Sequence, residues 1–197
     1  MTQLLEHELG LTWVLDEAMH RSAHALVDDG RVWIVDPTDD PDALERVAAL
    51  GTPQAVVQLL DRHNRACAKL AAQLAVPHLP PGAPVSGAPF EVRPVVRRRF
   101  WREAALWWPA REGLVVAEAV GTAPAFAVGD GPVGVHPMLR LTPPGALRGL
   151  RPQHLLVGHG APVHGADAAD GLPQALARSR QDLPRLALAL PRLVRGG

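Results

Sequence analysis

The sequence predicts an α/β protein in which helices pack against β-sheets. Residues 54–79 read as a buried strand, a polar turn, a helix and a second strand. Upstream of them lies a hairpin of two apolar strands, and a helix joins this hairpin to the buried strand. Strands that alternate with helices along the chain are typical of layered α/β folds.

The composition indicates one domain over residues 1–197. Apolar residues make up 47% of the chain and its formal net charge is zero. This suits a single sizeable core and gives no overall attraction to nucleic acid or to an anionic membrane. Cys67 is the one cysteine, so no intramolecular disulfide is expected. No stretch approaches the roughly 18 apolar residues of a spanning helix, and the first residues lack a signal-peptide pattern. We expect no membrane association and a cytoplasmic location.

The first part of the chain predicts antiparallel strands. Residues 24–27 and 31–35 are mostly apolar and flank Asp28-Asp29-Gly30, a turn sequence in which glycine can adopt positive φ. Residues 11–15 alternate weakly and predict a further strand. Asp36 closes the hairpin, either as an ordinary strand-terminating turn residue or as a support for a site.

Residues 40–50 predict a helix, because apolar residues recur on one face, Pro41 stands in the first turn and Gly51 follows the end. The helix leads into a buried strand at 55–60 and then into the polar turn 61–64. A second helix and a short strand complete this unit.

The second half predicts another set of antiparallel strands, at residues 90–96, 104–108 and 114–118. A Gly- and Pro-rich segment follows, in which we read His136 as a surface or turn histidine. A short helix is expected at 146–150. The last part predicts a helical tail in which each proline should end or kink a segment: Pro173, Pro184 and Pro191.

Two histidines stand where polar side chains collect in α/β folds. His63 lies on the turn after the buried strand, at the carboxyl edge of the expected sheet. His159 follows another strand and lies between Gly158 and Gly160, where glycine lets the backbone turn sharply. Both imidazoles are candidates for one site at the sheet edge.

These parts, in their order along residues 23–177, resemble the metallo-β-lactamase fold superfamily of hydrolases. The resemblance implies a four-layer αββα sandwich of two mixed β-sheets, with helices on the outside. In that family the turn reads His-x-His-x-Asp-His and supplies ligands to two adjacent metal ions. The same positions here keep one histidine, His63, and carry the following residues: Asp61, Arg62, His63, Asn64, Arg65 and Ala66.

The resemblance implies two further ligand positions. Glu118 stands where the family has a strand-ending aspartate that bridges the metals, and His159 matches the final histidine ligand of a Gly-His-Gly segment. A further family histidine, expected between residues 95 and 108, is missing. Asp61, His63, Glu118 and His159 are therefore enough for at most one ion, and the predicted cofactor is none or one zinc or iron ion.

The sequence leaves three functions open. The first is a member of this fold that has lost hydrolase activity and acts as a binding or structural protein, with Trp101, Trp107 and Trp108 on an exposed face that supports a homodimer. The second is a mononuclear hydrolase that uses the four ligands named above. The third, lesser function is an anion or nucleic-acid binder through residues 97–102. No Gly-x-Ser-x-Gly or P-loop motif supports a serine hydrolase or a standard nucleotide site.

The arginines define the expected binding residues. Arg98 and Arg99 lie in a basic cluster that favours a small anionic ligand over nucleic acid. Arg65 replaces a ligand aspartate, and its charge would repel a cation and recruit an anion if it projects into the site.

Overall fold

The computed structural model describes residues 1–195, without the side chains of residues 190–195. Two mixed sheets carry the fold, as predicted. The first has six strands in chain order: β1 (Gln3–His7), β2 (Gly10–Val14), β3 (Ser22–Asp28), β4 (Arg31–Val35), β5 (Thr52–Val57) and β6 (His78–Leu79). The strands β1 to β4 form an antiparallel meander, whereas β5 and β6 join in parallel. Helices α1 (Pro41–Leu50) and α2 (Cys67–Leu74) make the two parallel crossovers.

The second sheet has five strands: β7 (Glu91–Arg98), β8 (Trp101–Trp108), β9 (Gly113–Val116), β12 (His154–Val157) and β13 (Val163–His164). Their order is β13-β12-β9-β8-β7, and β9 with β12 is the parallel pair among them. Between β9 and β12 the chain forms a two-stranded ribbon of β10 (Val120–Gly121) and β11 (Gly134–Val135).

Apolar side chains fill two layers of core. Trp33 and Val57 of the first sheet pack in one buried cluster with Trp101 and Leu106 of the second. A second cluster lies on the other side of the first sheet, where α1 and α2 cover strand residues such as Ile34. Helices α3 (Ala166–Ala169) and α4 (Gly171–Arg178) join the core of the second sheet, and α5 (Leu183–Arg195) follows.

The local signals of the first half are confirmed. Asp29 and Gly30 form the hairpin turn with φ values of 47° and 70°, which is the positive-φ turn that Asp-Gly predicts. Asp40 caps α1, since its side chain accepts a hydrogen bond from the backbone N–H of Ala43 at 3.0 Å. Pro41 follows in the first turn, where its missing N–H is harmless.

Four expectations differ from the structure. Strand β5 ends at Val57, and Leu60 makes a single bridge to Glu103 instead of extending it. The helix expected at 146–150 is one 3₁₀ turn at Gly145–Leu147, because the backbone is extended at Arg148 and Gly149 has a φ of 80°, which no helix continues through. Strand β1 was not predicted, since its sequence is polar and it lies at the edge of its sheet.

The fourth difference concerns the tryptophans. Trp101 and Trp108 are buried in the core and Trp107 is half-buried, so the expected exposed tryptophan face is wrong. The homodimer remains a prediction without that face.

The tail is helical, as expected, but the prediction that each proline ends or kinks a segment is wrong for Pro173 and Pro184. Pro173 and Pro184 lie in the first turns of α4 and α5, where proline is tolerated. The backbone of α5 continues past Pro191, whose side chain lies outside the described part. No helix within residues 1–195 is long and apolar enough to span a bilayer.

Candidate metal centre

The candidate centre lies where several strands of both sheets end. Asp36 follows β4, and His63 lies on the turn after β5. Glu118 follows β9, and His159 follows β12. The backbone fixes His159 tightly, because Gly160 has a φ of 100° and a Cβ on Gly158 would approach the carbonyl oxygen of Ala117 to 2.3 Å. The predicted sharp turn between glycines is confirmed.

Three of the four predicted ligands converge. The Nε2 atom of His63 lies 3.1 Å from Oε1 of Glu118, and Nε2 of His159 lies 3.5 Å from the same oxygen. One ligand atom from each of the three residues lies within 4.8 Å of the others. Ligands at about 2.0–2.2 Å from a tetrahedral zinc ion are separated by roughly 3.3–3.6 Å. The spacing of these three atoms therefore suits one ion.

Hydrogen bonds hold the outer nitrogen of each histidine, which is the Nδ1 atom that points away from Glu118. Nδ1 of His63 donates a hydrogen bond to Oδ2 of Asp36 at 2.9 Å, and Nδ1 of His159 donates to the carbonyl oxygen of Met19 at 2.8 Å. Both inner nitrogens therefore face Glu118, and Nε2 of His159 is buried without a hydrogen-bond partner. This is the way that proteins orient histidine ligands.

Arg65 enters the same centre. Its guanidinium donates to three backbone carbonyls, those of Ser22 at 2.6 Å, Asp36 at 3.0 Å and Gly158 at 3.2 Å. One of its nitrogens lies 3.4 Å from Nε2 of His63. The backbone of Arg65 has a φ of 27°, which is strained for a residue with a side chain.

A second arginine holds the carboxylate of the centre. Arg62 donates to Oε2 of Glu118 at 2.7 Å, and its guanidinium lies 4.3 Å from the ring centre of Trp101. Two guanidinium groups, from Arg62 and Arg65, thus stand against two carboxylates, from Asp36 and Glu118. The formal charges of these four side chains cancel.

Comparisons with known proteins bear on the fold. Neither the family models nor the curated proteins include a match to the sequence. Among solved structures, the DIM-1 metallo-beta-lactamase matches with a TM-score of 0.60 and 12% identity over 90% of this chain and 98% of that one. A diflavin flavoprotein A 5 fragment from Nostoc sp. PCC 7120 matches with a TM-score of 0.60 and 15% identity, covering 93% and 98%. A di-iron-bound form of TTHA1623 matches with 0.54 and 16%, covering 84% and 96%.

The chain has the metallo-β-lactamase fold. The fold that the resemblance implies is confirmed, and so is the α/β class with two mixed sheets. Identities of 12–16% establish the fold alone.

At this edge of the metallo-β-lactamase fold, neighbouring groups raise the pKa of His63 and lower the pKa of Glu118. Burial acts to lower the pKa of His63, but the charge and hydrogen bond of Asp36 and the hydrogen bond to Glu118 outweigh it and raise that pKa. Burial acts to raise the pKa of Glu118, but the neighbouring imidazoles of His159 and His63 hold it far below its usual range. The pair therefore favours an imidazolium at His63 beside an ionised Glu118.

Asp61 does not join the three converging ligands. Its Oδ2 accepts a hydrogen bond from the backbone N–H of Arg102 at 3.0 Å, and the backbone N–H of Asp61 donates to the carbonyl of Arg102 at 3.1 Å. This pairing with β8 turns the carboxylate toward the second sheet. Asp61 also has one buried oxygen, Oδ1, without a hydrogen-bond partner.

The other predicted binding residues lie apart from the centre. Arg98 donates to the hydroxyl of Thr142 at 2.7 Å, and Arg99 is exposed at the β7–β8 hairpin. They line a groove of about 510 Å³. Its charged lining residues are Arg97, Arg98, Arg99, Arg102 and Glu103. We call it the arginine groove.

Two residues beside the centre were not predicted from the sequence to lie there. Glu103 is buried and accepts hydrogen bonds from the backbone N–H groups of Glu118 and Ala119, at 2.9 and 2.8 Å. Burial raises the pKa of Glu103 to about 7. A glutamate inside an apolar strand was the available signal. His136 caps a 3₁₀ turn, as predicted for a turn histidine, and it also packs edge-on against Trp101 with ring centres 4.7 Å apart.

Proposed function

We propose that this protein is a non-catalytic member of the metallo-β-lactamase fold that binds an anionic ligand. In this proposal, guanidinium groups and a proton take the place of the metal ions at the family centre. The observation that carries it is Arg65, whose guanidinium lies 3.4 Å from Nε2 of His63 while it is bonded to three backbone carbonyls.

The position of Arg65 works against a metal ion. A divalent cation bound to Nε2 of His63 would lie close to a guanidinium that keeps its charge at every physiological pH. Coulomb repulsion at such distances is strong inside a protein. Moving Arg65 away would remove a charged donor from three carbonyl oxygens, of which that of Gly158 keeps the backbone N–H of Ser22, and losing these bonds is costly in a buried site.

The charges supply a second argument. The negative charges of Asp36 and Glu118, which would offset the charge of a metal ion, are already balanced by the guanidinium groups of Arg62 and Arg65. His63 gains a proton easily, because it lies between Asp36 and Glu118. A proton on Nε2 blocks the lone pair that a metal needs.

The surface near the centre supplies a third argument. Five surface cavities of the described residues are lined by residues other than His63, Glu118 and His159, although Arg65 lines one of them. A hydrolase needs room for its substrate beside the activated water. The arginine groove, by contrast, is open and carries a surplus of positive charge.

Elemental analysis tests the metal-free centre. We expect the metal content of the purified wild type to equal that of a His63→Ala, His159→Ala double variant. A loss of about one ion per chain in the double variant would contradict the proposal. Circular dichroism of both proteins controls for folding.

Titration with inorganic pyrophosphate tests the arginine groove. We expect saturable binding that weakens at least fivefold in an Arg98→Ala, Arg99→Ala variant and with rising salt, because both arginines are exposed and contribute charge. An Arg46→Ala, Arg148→Ala variant removes the same charge from other surfaces and should bind as the wild type does. Equal weakening in both variants, or no binding in the wild type, would contradict the proposal.

A mononuclear hydrolase is the second candidate, and the unpartnered Nε2 of His159 favours it. His63, Glu118 and His159 would hold the ion, which would supply an activated water. Asp36 and the carbonyl of Met19 would orient the two imidazoles. Loss of both bound metal and ester hydrolysis in the His63→Ala, His159→Ala variant would establish this function in place of the first.

A further inference from the structure

A second group of histidines lies at the other end of the sandwich. His7 ends β1, His154 begins β12 and His164 ends β13. Because β12 runs from His154 toward His159, this group and the family centre lie at opposite ends of one strand. We call these three residues the histidine cluster. It contains no residue of the metallo-β-lactamase motif.

A chain of hydrogen bonds fixes the tautomer of His7. It starts at the carbonyl of Val157, which can only accept, so Nε2 of His24 donates to it at 3.1 Å. His24 is fully buried, and burial lowers its pKa to about 3, so the ring is neutral and its Nδ1 accepts. The hydroxyl of Thr12 therefore donates to Nδ1 of His24 at 2.8 Å.

The same chain continues to the histidine cluster. Since the hydroxyl of Thr12 uses its proton on His24, its oxygen accepts from Nε2 of His7 at 2.9 Å. Burial, then the neighbouring His164 and His154, lower the pKa of His7 to about 4. The ring is therefore neutral, and its Nδ1 carries a lone pair. That Nδ1 is buried and has no hydrogen-bond partner.

The lone pair of His7 has other imidazoles as neighbours. The ring centres of His7 and His164 are 5.5 Å apart, and Nδ1 of His164 and Nδ1 of His154 share one hydrogen bond at 2.9 Å, whose proton an ion would displace. Glu8 places a carboxylate oxygen 3.4 Å from Nε2 of His154. The nearby cation is Arg111, which donates to the backbone carbonyl of Glu8 at 3.0 Å.

We propose that the histidine cluster binds one divalent transition-metal ion of the zinc class, with Nδ1 of His7, His154 and His164 as ligands. Imidazole nitrogens prefer zinc, nickel and copper to magnesium or calcium. Glu8 would accept the outer N–H of His154, and Thr12 already accepts that of His7. Both are the supporting contacts that metal-bound histidines make.

The site closes on the ion by movement of exposed side chains. The three nitrogens of the histidine cluster do not yet lie within the 4.8 Å that joins His63, Glu118 and His159. His7 is held by Thr12, whereas His164 and Glu8 are exposed. His7 is therefore the fixed ligand onto which the others close.

Calorimetric titration of the metal-free protein with zinc chloride tests the proposal. We expect one site in the wild type, weakened at least tenfold in a His154→Ala, His164→Ala variant, whose residues are not in the core. A His78→Ala variant removes an exposed histidine elsewhere and should bind zinc as the wild type does.

The His63→Ala, His159→Ala variant separates this inference from the proposed function. Zinc binding that survives in this variant and is lost in the His154→Ala, His164→Ala variant supports the histidine cluster. Binding with the opposite dependence overturns both the histidine cluster and the metal-free family centre. No saturable zinc binding in the wild type overturns the histidine cluster alone.

Discussion

Arg65 joins three backbone segments that belong to different sheets. Ser22 and Asp36 lie at the ends of β3 and β4 in the first sheet, and Gly158 follows β12 in the second. In a binuclear enzyme of this fold, metal ions connect such segments through their ligands. Here a single side chain connects them by hydrogen bonds to carbonyls.

We expect Arg65→Ala to lower the free energy of unfolding by about 3 kcal/mol, because a charged donor to three backbone carbonyls is lost. Urea denaturation of the variant and the wild type measures it. Arg102→Ala is the matched control, since the side chain of Arg102 is 75% exposed, and its effect should stay below about 0.5 kcal/mol. An equal effect of the two changes would show that Arg65 does not connect the sheets.

His63 makes the stability of the fold depend on pH. Its pKa is raised in the folded state, so its contribution is complete below the unfolded pKa of about 6.5 and is lost as the pH rises through the folded pKa. We expect the penalty of His63→Gln to be larger near pH 6 than near pH 9. Urea denaturation of both proteins across this range measures the difference. A penalty that grows with pH would mean that His63 is neutral in the folded protein.

Among the secondary-structure elements, the β3–β4 hairpin followed most directly from sequence. Asp29 and Gly30 carry the positive φ values, and the backbone of Gly30 has open space where a Cβ would stand. The preference there is therefore conformational and needs no tertiary contact. Local chemistry of this kind is what a sequence predicts best.

Gly30→Ala should destabilise the protein by about 1 kcal/mol, because alanine at a φ of 70° is strained while nothing around it clashes. Gly131→Ala is the control, since its Cβ would also meet open space and its φ is not in the positive region. Thermal unfolding of both variants measures the effect. Equal stability of the two variants would show that the turn is not under conformational strain.

The part of the site that could be predicted from the sequence is the part whose position follows from the order of the strands. His63, Glu118 and His159 each follow a strand of the expected core, and strands that end at one edge bring such residues together. Asp61 departs because it pairs with Arg102 on β8, a contact between residues 41 positions apart. The sequence offers no local sign of that pairing. Glu103 gives a local signal, a glutamate inside an apolar strand, but its backbone partners lie 15 and 16 positions away and were not predictable.

In the whole molecule, polar contacts join the two sheets at both ends of β12. Arg65 and its carbonyls lie at one end, and the histidine cluster joins β1 to β12 and β13 at the other. The hydrogen-bond chain through Thr12 and His24 reaches Val157, next to the carbonyl that Arg65 holds. A line of polar side chains therefore runs through the apolar core between the two ends of β12.

Anomalous X-ray diffraction at the zinc absorption edge, from crystals of the wild type grown with zinc, is the most direct test of the central claim that Arg65 and a proton replace metal at the family centre. The account predicts no anomalous peak between His63, Glu118 and His159, and a peak beside Nδ1 of His7. A peak within about 2.3 Å of Nε2 of His63 would contradict it, because that is the distance of a bound zinc ion.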